Sequence, residues 1–245
     1  HYPSKSSTIK LGLWNAHSVR NKSLLLYDYV SEHRLDAIFL TETWLQEDDP
    51  VVIKECTPPG YTFLSLPRLT DNHGGIGVIF RSHLNLIIER NDSLIFNTFE
   101  LASIVNTTKT MKFFVVYRPP PSASNQYRVH EFLTEFETLV NEIAFLSGHV
   151  VLLGDFNVHL DNPLKSDVSR FISIYENCNF TQHVRGPTHV KGHTLDLVMT
   201  RNKLDLSYLT SHSGGQQLEL TDCQIRNLYI HQNVLSDHHC IQFHL

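Results

Sequence analysis

The sequence predicts one mixed α/β domain, and three features of the chain lead there. Short β-branched or aromatic runs alternate with stretches whose apolar residues recur every three or four positions, so strands and helices interleave. Polar residues stand repeatedly where an apolar run stops, and ligand sites of α/β folds gather at strand ends. With 245 residues, 41% apolar and 18% charged, the chain is long enough to bury one large core and lacks the composition of a disordered segment.

Ile9, Leu11 and Leu13 alternate with polar or small residues, which predicts a first strand ending at Asn15. Leu24, Leu25, Tyr27, Asp28 and Val30 predict a helix up to about His33, and residues 36–40 return to a strand ending at Glu42. The run 75–80 is short and apolar, 99–105 alternates loosely, and 111–117 is rich in β-branched and aromatic residues. All three predict strands, and Pro119, Pro120 and Pro121 end the last one, because proline cannot donate to a ladder.

Within 125–146, Phe132, Phe136, Leu139, Val140 and Ile143 recur at helical spacing and predict an amphipathic helix. A strand over 150–153 stops at Gly154-Asp155-Phe156-Asn157. A helix over 167–177, a strand over 195–200 and a final strand over 240–245 complete the order, with no internal repeat. The stretch 205–229 is the least legible part.

Composition excludes some roles. A formal charge of −5 counts against a protein that coats nucleic acid, whose affinity comes from Lys and Arg neutralising phosphates. An enzyme that cuts nucleic acid escapes the objection, since part of its acidity would serve as metal ligands. No apolar run approaches the roughly 18 residues of a membrane span and no secretory signal is evident, so a soluble chain without a membrane partner is expected. Cys56, Cys178, Cys223 and Cys240 are far apart and form no zinc spacing; reduced thiols in an intracellular protein are expected, although sequence alone leaves disulfides open. His73, His159, His212 and His239 fall in no HxH or HExxH pattern and are expected to be structural or exposed.

The polar strand-end set is Asn15, Glu42, Tyr117, Asp155, Asn157, Asp196 and the triplet Ser236-Asp237-His238. Glu42 and Asp237 are hard oxygen ligands of the kind magnesium uses, and Asp155 with Asn157 would reach one phosphate. Taken singly these motifs are weak: Gly-Asp-Phe-Asn is equally a turn, Thr41-Glu42-Thr43 a solvated strand end, and Ser236-Asp237-His238 a loop or cap. Asp196 is different. A carboxylate inside Leu195-Asp196-Leu197-Val198 needs a partner, and His238, whose tautomer and cationic form such a carboxylate would stabilise, is the candidate.

In combination the motifs are specific. Asn15 in Leu13-Trp14-Asn15-Ala16, Glu42 in Leu40-Thr41-Glu42-Thr43-Trp44, Tyr117-Arg118-Pro119-Pro120, Gly154-Asp155-Phe156-Asn157, Thr188 with Asp196, and Ser236-Asp237-His238 resemble the exonuclease–endonuclease–phosphatase superfamily over residues 10–245. Trp44-Leu45 after Glu-Thr, Tyr117-Arg118-Pro119-Pro120, and Pro187-Thr188-His189 leading to Thr194-Leu195-Asp196-Leu197-Val198 are similar to the apurinic-endonuclease-like domain of LINE-type (non-LTR) retrotransposons.

That resemblance implies a four-layer sandwich, two packed mixed β-sheets flanked by helices. It implies a magnesium-dependent endonuclease, with manganese as a substitute ion, that nicks one strand of double-stranded DNA in the nucleus. The 3′-hydroxyl left behind would prime a reverse transcriptase encoded downstream in the same polyprotein, of which this chain would be an amino-terminal domain. Asn15, Glu42 and Asp237 would surround the metal, Tyr117 and His238 contact the scissile phosphate, Asp196 orient His238, and Asp155 with Asn157 align and deprotonate the attacking water. Thr188 and Ser236 would complete the pocket and, with Arg20, Lys22, Arg118, Lys191 and His193, form the DNA-binding set. Arg20, Lys22 and Arg118 are equally readable as solvated surface charges.

Residues 189–193 read as a tight hairpin with Gly192 in the turn, where retrotransposon enzymes carry a hairpin that lies against DNA. One departure stands out: His17 occupies the place where repair-type relatives carry an acidic residue two positions after the metal-site asparagine. Because fold and pocket are shared across the superfamily, an abasic-site repair enzyme and a phosphatase acting on inositol lipids or sphingomyelin remain alternatives, and so does a binding module without activity.

Overall fold

The computed structural model describes residues 8–47, 49–68, 73–90, 94–122, 128–202, 223–232 and 235–245. The first half of the chain runs β1 (Lys10–Asn15), α1 (Ser23–Glu32), β2 (Ala37–Thr41), α2 (Pro50–Cys56), β3 (Tyr61–Leu66), β4 (Ile76–Arg81), β5 (Leu86–Ile88) and β6 (Glu100–Asn106). The second runs β7 (Met111–Tyr117), α3 (Val129–Ala144), β8 (His149–Asp155), α4 (Ser166–Asn177), β9 (Phe180–Gln182), β10 (Asp196–Arg201), β11 (Arg226–His231) and β12 (Cys240–His244).

The strands form two six-stranded mixed sheets, ordered β11-β12-β1-β2-β4-β3 and β5-β6-β7-β8-β10-β9. At the centre of each is a parallel pair, β1 with β2 and β7 with β8, whose connections run through α1 and α3. A parallel pair cannot be closed by a hairpin, and a helix is the usual crossover.

The period-2 geometry of strands explains the layering. Leu11 and Leu13 of β1, Ala37 and Phe39 of β2, Phe113 and Val115 of β7, Val151 and Leu153 of β8, and Val198 of β10 point into one cluster between the sheets. Their sequence neighbours point the other way. Ile38 and Leu40 pack beneath Leu26 and Val30 of α1 and Cys56 of α2. Val150, Leu152, Leu197 and Met199 pack beneath Phe132, Phe136 and Leu139 of α3 and Val168 and Phe171 of α4. Central strands are therefore buried on both faces, which is why they appear in the sequence as nearly continuous apolar runs. The result is the four-layer helix–sheet–sheet–helix sandwich that the resemblance implies.

The structure adds elements with no clear sequence signal. α2 has seven residues and opens with Pro50, and β5 and β9 have three residues each, too few to display a period. β3 and β11 are edge strands, and β3 is half-buried throughout, so neither carries a clean alternation. The strand expected to end at Glu42 ends at Thr41, since Glu42 turns into the left-handed region at φ +51°. Residues 125–127 of the expected helix over 125–146, His212 and most of the illegible stretch 205–229 lie outside the described residues.

Candidate active site

Register brings the polar strand ends together. Asn15 pairs with Thr41 across β1 and β2, which sets Asn15 beside Glu42. Tyr117 pairs with Asp155 across β7 and β8, and Asp155 pairs with Asp196 across β8 and β10. β12 runs antiparallel to β1 and starts at Cys240, so Ser236, Asp237 and His238 enter at the same edge. Six segments far apart in sequence thus end on one rim of the two packed sheets.

The rim is lined by a cleft of about 860 Å³ whose walls include Glu42, Tyr117, Asn157, Asp237 and His238. Asn15 and Asp155 lie directly behind it, both fully buried. The Asn15 amide bridges the two halves, its Nδ2 donating to Glu42 Oε1 at 2.8 Å and to Asp155 Oδ2 at 2.9 Å. Asp155 also accepts from the Asn157 backbone N–H at 3.0 Å and from Asn157 Nδ2 at 3.2 Å. His238 Nδ1 lies 2.8 Å from Asp196 Oδ2, which directs its Nε2 toward Asp155 Oδ2, 4.0 Å away.

This row of buried acid, imidazole and buried acid shifts its own protonation. Burial and then the Asp196 charge raise the Asp155 carboxyl well above the carboxylate range, although His238 and the hydrogen bonds from Asn157 and Asn15 oppose this. Burial would depress His238, but Asp196, Asp155 and Asp237 outweigh it and hold the imidazole up, at about 10. The arrangement sets an imidazole held as a cation beside a carboxyl whose affinity for a proton is raised. Burial, reinforced by Glu42 and Asp155, raises the Tyr117 phenol, so Tyr117 stays a neutral hydrogen-bond donor.

Backbone conformations here are unusual. His17, Ser18, Glu42, Trp44 and Asn157 are non-glycine residues at positive φ, between +44° and +75°. Each is sterically disfavoured, and such residues cluster where surrounding structure over-determines a functional geometry. The surrounding ladder is visible: Ala16, Ser18 and Val19 donate their N–H groups to the carbonyls of Thr41, Glu42 and Thr43, and Thr43 and Trp44 donate to Gly75 and Gly74.

The donor chemistry fits a hard divalent cation. Glu42 and Asp237 present carboxylates to the same cleft, and among the described residues no Lys or Arg is ion-paired with either. Burial would raise Asp237, but hydrogen bonding from His17 and the charges of His238 and His17 keep it below the usual carboxylate range, hence ionised. Oxygen donors with room for water and a phosphate suit magnesium. Asn15 offers only its Oδ1, which accepts from the His17 N–H at 3.0 Å, while its amide nitrogen is used as the bridge. His17, two residues after Asn15, places its Nδ1 3.3 Å from Asp237 Oδ1.

Several expected DNA contacts are placed otherwise. Arg118 is only 2% exposed; its guanidinium stacks 3.9 Å over the Phe132 ring, and Nη1 donates to the carbonyls of Phe156 and Asn157. It is a buried cation behind Asp155, pushed down to about 10 by burial and still charged, not a surface contact. Thr188 is fully buried as well, and its hydroxyl accepts from the backbone N–H groups of Leu195 and Asp196, which fixes the start of β10. Ser236 is occupied internally: its Oγ accepts from Trp14 Nε1 and the His238 N–H and lies 2.9 Å from the Asn15 carbonyl.

Arg20 braces the loop after β2 by bonding the Trp44 carbonyl and Asp49, and Lys22 holds the loop after β1 through the carbonyls of Ala16 and His17. Lys191 lines the cleft, whereas His193 turns to Asp161. The 189–193 segment is a tight turn closed by Gly192 N–H to His189, with Gly192 at φ +86°, and it has no strands of its own. A bridge between His189 and His238 ties it to the rim of the cleft.

The cleft also holds residues outside the expected site set: Arg68, His73, which the sequence leaves as structural or exposed, and His189, which it gives only as part of the 189–193 turn. His189 Nε2 is 3.5 Å from Asp237 Oδ2 and its ring meets that of His238 edge-on at 4.9 Å. Arg68 stands 5.5 Å from the Tyr117 ring centroid and pairs with Glu100. A single His or Arg in a loop carries no periodic signal, so only adjacency in space identifies these.

The sequence pattern of the Endonuclease/Exonuclease/phosphatase family matches residues 12–238. A relative from Drosophila melanogaster, the RNA-directed DNA polymerase from mobile element jockey, is 29% identical over 155 residues, 61% of this chain; the match spans 15% of that relative's length. Among solved structures, the endonuclease domain of TRAS1, a telomere-specific non-LTR retrotransposon, superposes with a TM-score of 0.62 at 12% identity over 98% of both chains. The AP endonuclease LMAP from Leishmania major gives 0.70 at 13% identity, covering 99% of this chain and 89% of its own. The 3′ phosphatase NExo from Neisseria, bound to product DNA hairpin, gives 0.68 at 14% identity over 96% and 98%. At these identities the superpositions establish a common fold.

Proposed function

The chain belongs to the Endonuclease/Exonuclease/phosphatase family, and on that premise we propose that it is a magnesium-dependent endonuclease that nicks one strand of double-stranded DNA during retrotransposition. The observation that carries the chemistry is the Asp196–His238–Asp155 row set against Glu42 and Asp237 on one cleft. The jockey and TRAS1 likenesses support the retrotransposon setting, in which the nick's 3′-hydroxyl primes a downstream reverse transcriptase in the nucleus.

In this reading Glu42 and Asp237, with Asn15 behind them, hold the cation, magnesium or, as a substitute, manganese. A bound ion would supply electrostatic stabilisation of the charge developing on the phosphoryl oxygens and the departing 3′ oxygen. Asp155, its base strength raised by burial and Asp196, takes the proton of the attacking water; Asn157 fixes the carboxylate with two hydrogen bonds. His238, held as a cation by Asp196, and the Tyr117 hydroxyl donate to the non-bridging phosphate oxygens. Lys191 and the apolar wall of Phe96, Phe99 and Pro119 border the path of the nucleic acid.

Supercoiled plasmid with magnesium is expected to become open circles, and chelation with EDTA to stop this. Asp155→Ala and His238→Ala should each lower the nicking rate by about 10²–10⁴-fold, the usual worth of a proton-transfer or charge-stabilising group. Unchanged nicking in both variants overturns the assignment. A marked preference for abasic over intact duplex would replace the retrotransposon reading with a repair one.

A further inference from the structure

We propose that His159, Asp161 and His193 form a second metal site, one for zinc or a similar transition metal, that clamps the 189–193 turn to the loop after β8. The three side chains offer one ligand atom each, all within 4.8 Å of one another. None of them takes part in the Asp155–His238–Asp196 row or the Glu42–Asp237 pair.

The segments that carry these ligands are hydrogen-bonded to each other. Leu160 N–H donates to the Thr194 carbonyl at 3.1 Å, and Thr194 N–H donates to Asp161 Oδ1 at 3.1 Å, so two segments about 33 residues apart are zipped together. Asn162 N–H closes back on the His159 carbonyl. Asp161 Oδ2 lies 3.1 Å from His193 Nδ1, and the His159 and His193 rings meet edge-on with centroids 4.1 Å apart. Fixed backbone and an anchored carboxylate are what a preorganised metal site needs.

Ligand type then selects the ion. Two imidazoles and a carboxylate are the donors of zinc and its first-row neighbours, whereas magnesium prefers oxygen alone. Tetrahedral zinc ligands about 2.0–2.1 Å from the ion stand roughly 3.4 Å apart, so the three groups need only small side-chain rotations, with water as the fourth ligand. His159 and Asp161 are exposed, so an ion enters directly from solvent.

Occupancy would have a consequence for the cleft. His159 lines it, and the turn that ends at His193 carries Lys191 and His189 on the facing side. A bound ion would therefore fix the turn relative to Asn157.

The test is zinc titration by calorimetry into the whole chain kept in saturating magnesium, with cobalt absorption as a second readout. One zinc per chain is expected, together with a rise in melting temperature. His159→Ala and His193→Ala should each weaken zinc binding by about tenfold or more and abolish the thermal shift, while Asp237→Asn leaves both intact. Undiminished zinc affinity in the two histidine variants overturns the proposal. So does loss of zinc binding in Asp237→Asn, which would move the ion into the catalytic cleft.

Discussion

Asp196 is the residue on which the others turn. It is 1% exposed, and its Oδ2 holds His238 Nδ1 at 2.8 Å, so the imidazole has one tautomer, one orientation and a stabilised cation. Asp196→Asn keeps the shape and removes the charge. The expected result is a fall in kcat of roughly 10²–10⁴-fold with a much smaller change in KM for DNA, because His238 loses its charge rather than its place. An NMR titration of the metal-free protein should show the His238 imidazole losing its proton at lower pH in the variant. An unchanged titration would mean that Asp155 and Asp237 alone hold that proton.

At the scale of elements, the β7–β8 ladder sets the spacing between Tyr117 and Asp155. Gly154, one residue before Asp155, sits at φ +140°, and a Cβ there would run into the backbone of Val116 on β7. Both effects, a glycine-only conformation and a collision with backbone that cannot rotate away, oppose any side chain. Gly154→Ala is expected to destabilise the fold by about 3 kcal/mol or more, read as a lower urea midpoint or as failure to accumulate soluble protein. A wild-type midpoint would mean that the ladder shifts at little cost. The loops after β1 and β2 depend in the same way on mutual backbone hydrogen bonds, with Arg20 and Lys22 as side-chain braces.

For the whole molecule, the site exists only while the two sheets stay in contact, since Asn15, Glu42 and Asp237 come from one sheet and its loops, and Tyr117, Asp155 and Asp196 from the other. Phe39 and Phe113 meet across that interface with ring centroids 4.8 Å apart, and both are essentially buried. Phe113→Ala should cost about 3–5 kcal/mol by chemical denaturation, mostly from the cavity it leaves. If the loss were below about 1 kcal/mol, the sheets would be held together elsewhere.

Much of this was legible in the chain itself. Apolar and β-branched runs located the central strands, apolar residues at three- and four-residue spacing located α1, α3 and α4, and the residues that stop those strands are the ones the fold gathers on one rim. Such runs and spacings survive in a single sequence. What lacks a period was lost: α2, the three-residue strands, the edge strands, and cleft residues such as Arg68 and His189. Only the tertiary structure decided which cations face solvent, burying Arg118 under Phe132 and engaging Arg20 and Lys22 with carbonyls. It alone joined His159 to His193. The reason is physical: a side chain's chemistry depends on its identity, which the sequence states, and on its burial and partners, which come from segments tens to hundreds of residues away.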